Sequence, residues 1–172
     1  MKRIDWDTLF MFQVRAYAMR SACLKYKVGA VFTKDNRVLT GGFNGPPRGE
    51  PNCCDVGCAK VKSDGGFSPA GSGLCRGAHA EMNSLVNACI GGRDLYGSIV
   101  YCSFSPCLDC AKHLLNLGIV RFVYEIEYSE DEGKRAMELL KRRGVGLSRF
   151  IFGESVLSDF YNFNPVKNKE GK

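Results

Sequence analysis

Two short segments carry side chains whose types and spacing could do chemistry: His79-Ala80-Glu81 and Ser105-Pro106-Cys107-Leu108-Asp109-Cys110. One imidazole and two thiolates make three good zinc ligands. A structural zinc is closed by four protein ligands, whereas three leave a position at which water can acidify toward a pKa of about 7. Glu81, two residues beyond His79, is close enough to reach that water without coordinating the metal itself, the placement a proton shuttle needs. The expected chemistry is metal-assisted hydrolysis with Glu81 as both base and acid. Alone, Cys-x-x-Cys could be a structural zinc knuckle or a redox pair, and a lone helical histidine is more often a core residue. The combination is what points to catalysis. His113, the other histidine, has no such company and reads as an ordinary helix residue.

Both segments should open helices. Pro106 suits a first helical turn, where its missing N–H costs nothing, and would set Cys107 and Cys110 one turn apart on one face. Helix N-termini bring positive partial charge that helps keep the thiols deprotonated. Apolar spacing predicts a first helix from Asp5 to Arg20, and β-branched runs at Val28–Thr33 and Val38–Gly42, parted by Lys-Asp-Asn-Arg, predict a hairpin. Gly41 to Gly77 is Gly-, Pro-, Ser- and Cys-rich without periodicity, far longer than the usual loop of about 4–6 residues, so it should be functional or pinned. Beyond it the pattern alternates: helix His79–Cys89, strand Ser98–Cys102, helix Pro106–Leu117, strand Ile119–Glu125, helix Glu130–Arg143, strand Leu147–Phe152. A hairpin followed by helix–strand alternation predicts a three-layer α/β/α domain over residues 1–163. Its mixed sheet should have about five strands, antiparallel at the hairpin and parallel where helices cross over. A polar tail follows at 164–172.

Composition narrows the class. The 172 residues are 45% hydrophobic and 24% charged, and no apolar run approaches the roughly 18 residues a membrane span needs. The first residues show no apolar stretch of the kind a secretory signal has, so a cytoplasmic protein is expected. In that reducing setting the nine cysteines read as metal thiolates rather than a disulfide framework. The net charge of +6 is scattered, with clusters at Lys141-Arg-Arg143 and after Pro165 that read as solvated surface, so nucleic acid is not an expected partner.

His-x-Glu followed by Pro-Cys-x-x-Cys is the pattern of zinc nucleobase deaminases. Together with Arg20-Ser-Ala-Cys23, Lys27-Val-Gly-Ala-Val31, Gly42-Phe-Asn-Gly-Pro-Pro47 and Cys75-Arg-Gly-Ala-His-Ala-Glu-Met-Asn83, it makes the chain resemble the deoxycytidylate deaminase family over residues 8 to 145. The resemblance implies a cytidine-deaminase-like sandwich and zinc-dependent conversion of dCMP to dUMP and ammonia. It implies that Asn44 meets the sugar, that the backbone around Ala80 meets the pyrimidine carbonyl, and that Arg20, Lys27 and Tyr128 stand on the phosphate side. Glycines around Asn44 permit close approach to a ligand, although Asn-Gly is also a common turn pair. Further implications are a homo-oligomer, often hexameric, with dCTP and dTTP as effectors. Many bacterial and viral relatives carry a second, structural zinc, for which Cys23, Cys53, Cys58 and Cys75 are the candidates here; free buried thiols or redox-active cysteines are the alternative. Two rivals share the motif: a deaminase of tRNA or single-stranded nucleic acid, and a zinc-stabilised binding protein, against which Glu81 counts because a structural site has no use for a base.

Overall fold

Helix α1 (Trp6–Met19) begins where an aspartate can cap it: the Asp5 carboxylate accepts the Thr8 N–H at 2.7 Å. This computed structural model describes residues 3–69, 72–128 and 131–162, so the expected tail at 164–172 lies outside the described residues. Strands β1 (Gly29–Lys34) and β2 (Arg37–Phe43) form the expected hairpin. Its turn places Asp35 and Asn36 at φ of 51° and 58°, left-handed values that these two residue types tolerate. After a short helix α2 (Cys53–Val56) come α3 (Ala80–Ile90), β3 (Ile99–Phe104), α4 (Leu108–Leu117), β4 (Arg121–Ile126), α5 (Asp131–Arg142), β5 (Gly146–Arg149) and α6 (Glu154–Tyr161).

The strands order as β2-β1-β3-β4-β5, with β1 antiparallel to both β2 and β3 and the β3-β4-β5 pairs parallel. This is the mixed five-stranded sheet that the helix–strand alternation implies. Period-two alternation splits its side chains between two cores. Ala30 and Phe32, Val100 and Cys102, and Phe122 and Tyr124 face α3, α4 and α5, while Val31, Tyr101 and Val123 face Phe10, Met11 and Val14 of α1. Close approach of α1 requires Gly29, where an added Cβ would stand 2.1 Å from the Val14 carbonyl oxygen.

A polar tie crosses the α1 face. Arg121 donates to both Asp7 carboxylate oxygens at 3.0 and 2.7 Å and to the Ser148 hydroxyl at 3.2 Å, and Tyr101 donates to Asp7 at 2.6 Å. Burial raises the Asp7 carboxyl, but the hydrogen bonds from Arg121 and Tyr101 outweigh it and hold the group below its ordinary range. A carboxyl lowered on folding contributes stability above its unfolded pKa and loses it as pH falls through the folded one. Asp7→Asn is therefore expected to cost about 2 kcal/mol at neutral pH, a melting shift of roughly 4–8 °C. In melts from pH 7 downward the gap between variant and parent should shrink below the usual carboxylate range; a gap independent of pH would contradict this.

The expected elements were shifted in three places. The last strand runs Gly146–Arg149 rather than to Phe152, because Phe150 and Phe152 turn to pack edge-on with centroids 4.8 Å apart against α1. Helix α6 was not anticipated; Phe160 stacks on Phe12 at 4.3 Å. Pro106 precedes α4 instead of lying in its first turn, because Cys107 is the cap residue.

Candidate metal centre and active-site cavity

Residues 46–77 leave and re-enter the body through a closed neck. Gly45 and Ala78 exchange backbone hydrogen bonds at 3.2 and 2.9 Å, which sets Asn44 and His79 on the two sides of the pair. The excursion is locally pinned: a small hairpin pairs Val61 with Phe67, the Lys62 N–H donates to the Gly66 carbonyl at 2.8 Å, and the Ser68 N–H donates to the Lys60 carbonyl at 2.8 Å. Its underside and the sheet's C-terminal end enclose a cavity of about 340 Å³.

His79 caps α3, and its carbonyl accepts the Asn83 N–H at 3.0 Å. The helix is stitched to β2 by Asn83 and Asn87, whose amides donate to the Phe43 and Gly41 carbonyls at 2.8 and 2.9 Å. Gly42 lets the two approach, since a Cβ there would meet the Ser84 nitrogen at 2.8 Å. On the other side Cys107 caps α4, with its Sγ accepting the Cys110 N–H at 3.5 Å. Parallel pairing of β3 with β4 and the packing of Ala111 and Leu114 into the core fix the start of α4 beside the start of α3.

The result is a three-ligand cluster. His79 Nδ1 lies 3.3 Å from Cys107 Sγ and 3.4 Å from Cys110 Sγ, and all three ligand atoms lie within 4.8 Å of one another. Bond lengths of about 2.3 Å to sulfur and 2.1 Å to nitrogen in a tetrahedron require N···S separations of about 3.5 Å, so the trio fits a zinc ion. It is the one such grouping among the described residues, and Glu81, which lines the same cavity, stands outside it. Cys110 and Glu81 are buried, 2% and 5% exposed.

Between themselves the three groups divide their protons unevenly. The hydrogen bond from Cys110 holds the Cys107 thiol down to about 4, and the same bond pushes Cys110 far up. The hydrogen bond with Cys107 raises His79 to about 9. A divalent cation competes for these protons, so its uptake releases them and weakens as pH falls. Burial pushes the Glu81 carboxyl up against the opposing pull of His79, which makes it a stronger base than an exposed glutamate.

Of the other residues singled out, Asn44, Ala80 and Tyr128 border the cavity. The Asn44 amide is partly committed, accepting the Val28 N–H at 2.9 Å and donating to the Tyr26 carbonyl at 2.8 Å, which leaves it one N–H and one lone pair. Ala80 is fully buried in the first turn of α3, where backbone N–H groups lack helical partners. The Tyr128 N–H donates to the Ser105 hydroxyl at 2.8 Å. Arg20 sits at the C-cap of α1 and, like Lys27, lies outside the cavity lining. Cys23, Cys53, Cys58 and Cys75 all border the cavity, but no three of their sulfurs gather within 4.8 Å. The sequence reading missed Lys25, Lys60, Arg76 and the edge-to-face pair Tyr26–Phe104, 5.5 Å apart, all on the lining. Lys60 and Arg76 lie in the aperiodic excursion, where no spacing rule indicates which side chains turn inward.

Known proteins resemble this chain in sequence and fold. The chain is 39% identical over 153 residues to a deoxycytidylate deaminase of Schizosaccharomyces pombe, a match covering 87% of this chain and 45% of that protein, so it spans less than half of that relative's length. It is 30% identical over 170 residues to ComE operon protein 2 of Bacillus subtilis, covering 99% of this chain and 80% of that one. The dCMP deaminase of cyanophage S-TIM5, solved in complex with dCMP and dUMP, superposes with a TM-score of 0.70 at 28% identity, covering 87% of this chain and all of that one. The family model for the cytidine and deoxycytidylate deaminase zinc-binding region matches residues 4–126. Because that match takes in both ligand-bearing segments and most of the chain, the protein belongs to the cytidine and deoxycytidylate deaminase zinc-binding family.

Proposed function

We propose that this chain is a zinc-dependent hydrolytic deaminase that takes dCMP and water to dUMP and ammonia. The observation that carries the reading is Glu81: a buried carboxylate in the same cavity as a three-ligand His-Cys-Cys cluster, yet outside it. A closed structural site would have no use for such a base. When bound, zinc supplies a Lewis acid that makes water nucleophilic at neutral pH. Glu81 takes one proton of the attacking water and delivers it to N3 of cytosine as C4 is attacked, then takes the remaining proton of the hydroxyl now on C4 and passes it to the amino group, which leaves as ammonia while C4 becomes a carbonyl. The N–H of Ala80, at a helix start, suits the pyrimidine carbonyl, and the remaining donor and acceptor of Asn44 suit a sugar hydroxyl. The S. pombe and cyanophage relatives are named for this activity, which supports dCMP over other cytosine compounds.

Ammonia release from dCMP, CMP, deoxycytidine, dCTP and a cytosine-containing oligonucleotide tests the reading. We expect dCMP to give the highest kcat/KM. Preference for the oligonucleotide would favour a nucleic-acid deaminase, and no release from any of them would refute deamination. The same assay with dCTP or dTTP added tests the regulation that the family resemblance implies, and gel filtration tests the implied homo-oligomer.

A second, structural zinc on Cys23, Cys53, Cys58 and Cys75 is a separate proposal. Their common place on one cavity supports it, and closure of a four-thiolate site would draw the excursion inward and pin it. Metal analysis of the purified chain is expected to give two zinc ions per chain; one would defeat the proposal.

A further inference from the structure

Helix α3 carries one charged residue, Glu81, and that one is buried. In the same helix layer α5 exposes Lys134, Arg135, Glu138 and Lys141, the usual pattern for a helix with one side in water. At about 100° of turn per residue, Ala80, Ser84 and Ala88 aim α3 at the sheet, where the Ser84 hydroxyl donates to the Ala30 carbonyl at 3.3 Å. Met82, Val86, Cys89 and Ile90 then form a second apolar stripe on the opposite side, running about 12 Å over two turns. Val86 is 53% and Ile90 75% exposed, Cys89 is exposed and Met82 half-buried. A helix that is apolar all round is one covered on all sides. This one stands over β2, the strand at the sheet's edge, and no described element covers its outer side.

Both signs of charge border the stripe at the C-terminal end of the helix. Asp35 and Arg37 come from the hairpin, and Arg93 and Asp94 from the segment after α3; all four are exposed. Lys34, donating to the Tyr96 carbonyl at 2.8 Å, ties the two segments together. The stripe itself is uncharged, whereas like charge elsewhere on a chain of net charge +6 opposes self-association.

We propose that the Met82, Val86, Cys89 and Ile90 face of α3 is the surface on which a second copy of this chain docks, about a two-fold axis that lays the two α3 helices across each other. A two-fold interface sets one patch against itself, so it needs an apolar centre and a rim that offers both acid and base. The stripe and its border supply these. The stripe offers no charge by which to select a different protein. This surface belongs to the homo-oligomer proposed above, on which reading it rests. It lies outside the cavity, on the back of the helix that is capped by His79 and carries Glu81.

Light scattering during gel filtration gives the mass of the zinc-loaded parent and of its variants. Val86→Asp and Ile90→Asp each bury a charge twice, once per copy, and are expected to weaken association at least about 100-fold and to lower the mass of the assembly. Both positions are exposed in the single chain, so far-ultraviolet circular dichroism and zinc content should match the parent. Ile151→Asp, 77% exposed beyond β5 at the other edge of the sheet, should leave the mass unchanged. A short bismaleimide should join two parent copies through Cys89, as mapped by mass spectrometry, and Cys89→Ser should abolish that link. An assembly that survives both aspartate variants, or cross-links that never include Cys89, would overturn this surface and leave the homo-oligomer standing. A parent chain that is monomeric at all concentrations would overturn both.

Discussion

Glu81→Gln is expected to lower kcat for dCMP by at least about 10³-fold while the protein keeps its fold and its zinc. The substitution is nearly isosteric, so the buried pocket on α3 stays filled, with Gln in a position only 5% exposed. What is lost is the ability to hold and return a proton, which every step at N3 and at the leaving amine needs. The ligand cluster does not include Glu81, so metal content should match the parent. KM should move by only a few-fold, because Asn44, the residue proposed to meet the sugar, is a separate part of the cavity wall. Residual kcat within about tenfold of the parent would remove Glu81 from the mechanism.

Cys110→Ala should have an equally large effect by a different route. Cys110 is the third residue of α4, its sulfur lies 3.4 Å from His79 Nδ1, and it is 2% exposed. Two remaining ligands cannot hold zinc against dialysis at the affinity of three. Purified Cys110→Ala protein is expected to carry one zinc fewer than the parent and to release no detectable ammonia, with far-ultraviolet circular dichroism retained. Restoring activity by adding zinc in modest excess would contradict a ligand role. The pair of variants separates two functions that a single loss of activity would confound: one keeps the ion without the proton carrier, the other removes the ion.

The gathering of His79, Cys107 and Cys110 was legible because its parts are local. His79 and Glu81 are two residues apart, Cys107 and Cys110 three apart, and each pair sits at a helix start that the sequence marks by strand-then-helix patterning. The sheet was legible for the same reason: short apolar and β-branched runs such as Ala30-Val31-Phe32 and Val100-Tyr101-Cys102 read as strands, and the structure buries both their faces. The hairpin turn was readable from Asp35 and Asn36, residues that tolerate positive φ. What escaped depends on long-range packing. Nothing in the spacing of Phe150 and Phe152 says that they abandon the sheet for α1, and α6 owes its place to Phe160 meeting Phe12 across the fold. The cavity's cations escaped too. Lys25 stands two residues from Lys27, yet only Lys25 lies on the wall, between aromatic rings drawn from two segments about forty residues apart.

Anomalous diffraction at the zinc edge, from crystals of the zinc-loaded protein, would decide the central claim. The account predicts a peak bonded to His79 Nδ1, Cys107 Sγ and Cys110 Sγ, with an oxygen of solvent or ligand as its fourth neighbour and Glu81 beside that oxygen. A peak closed by a fourth amino-acid side chain, or no zinc between these three residues, would contradict it.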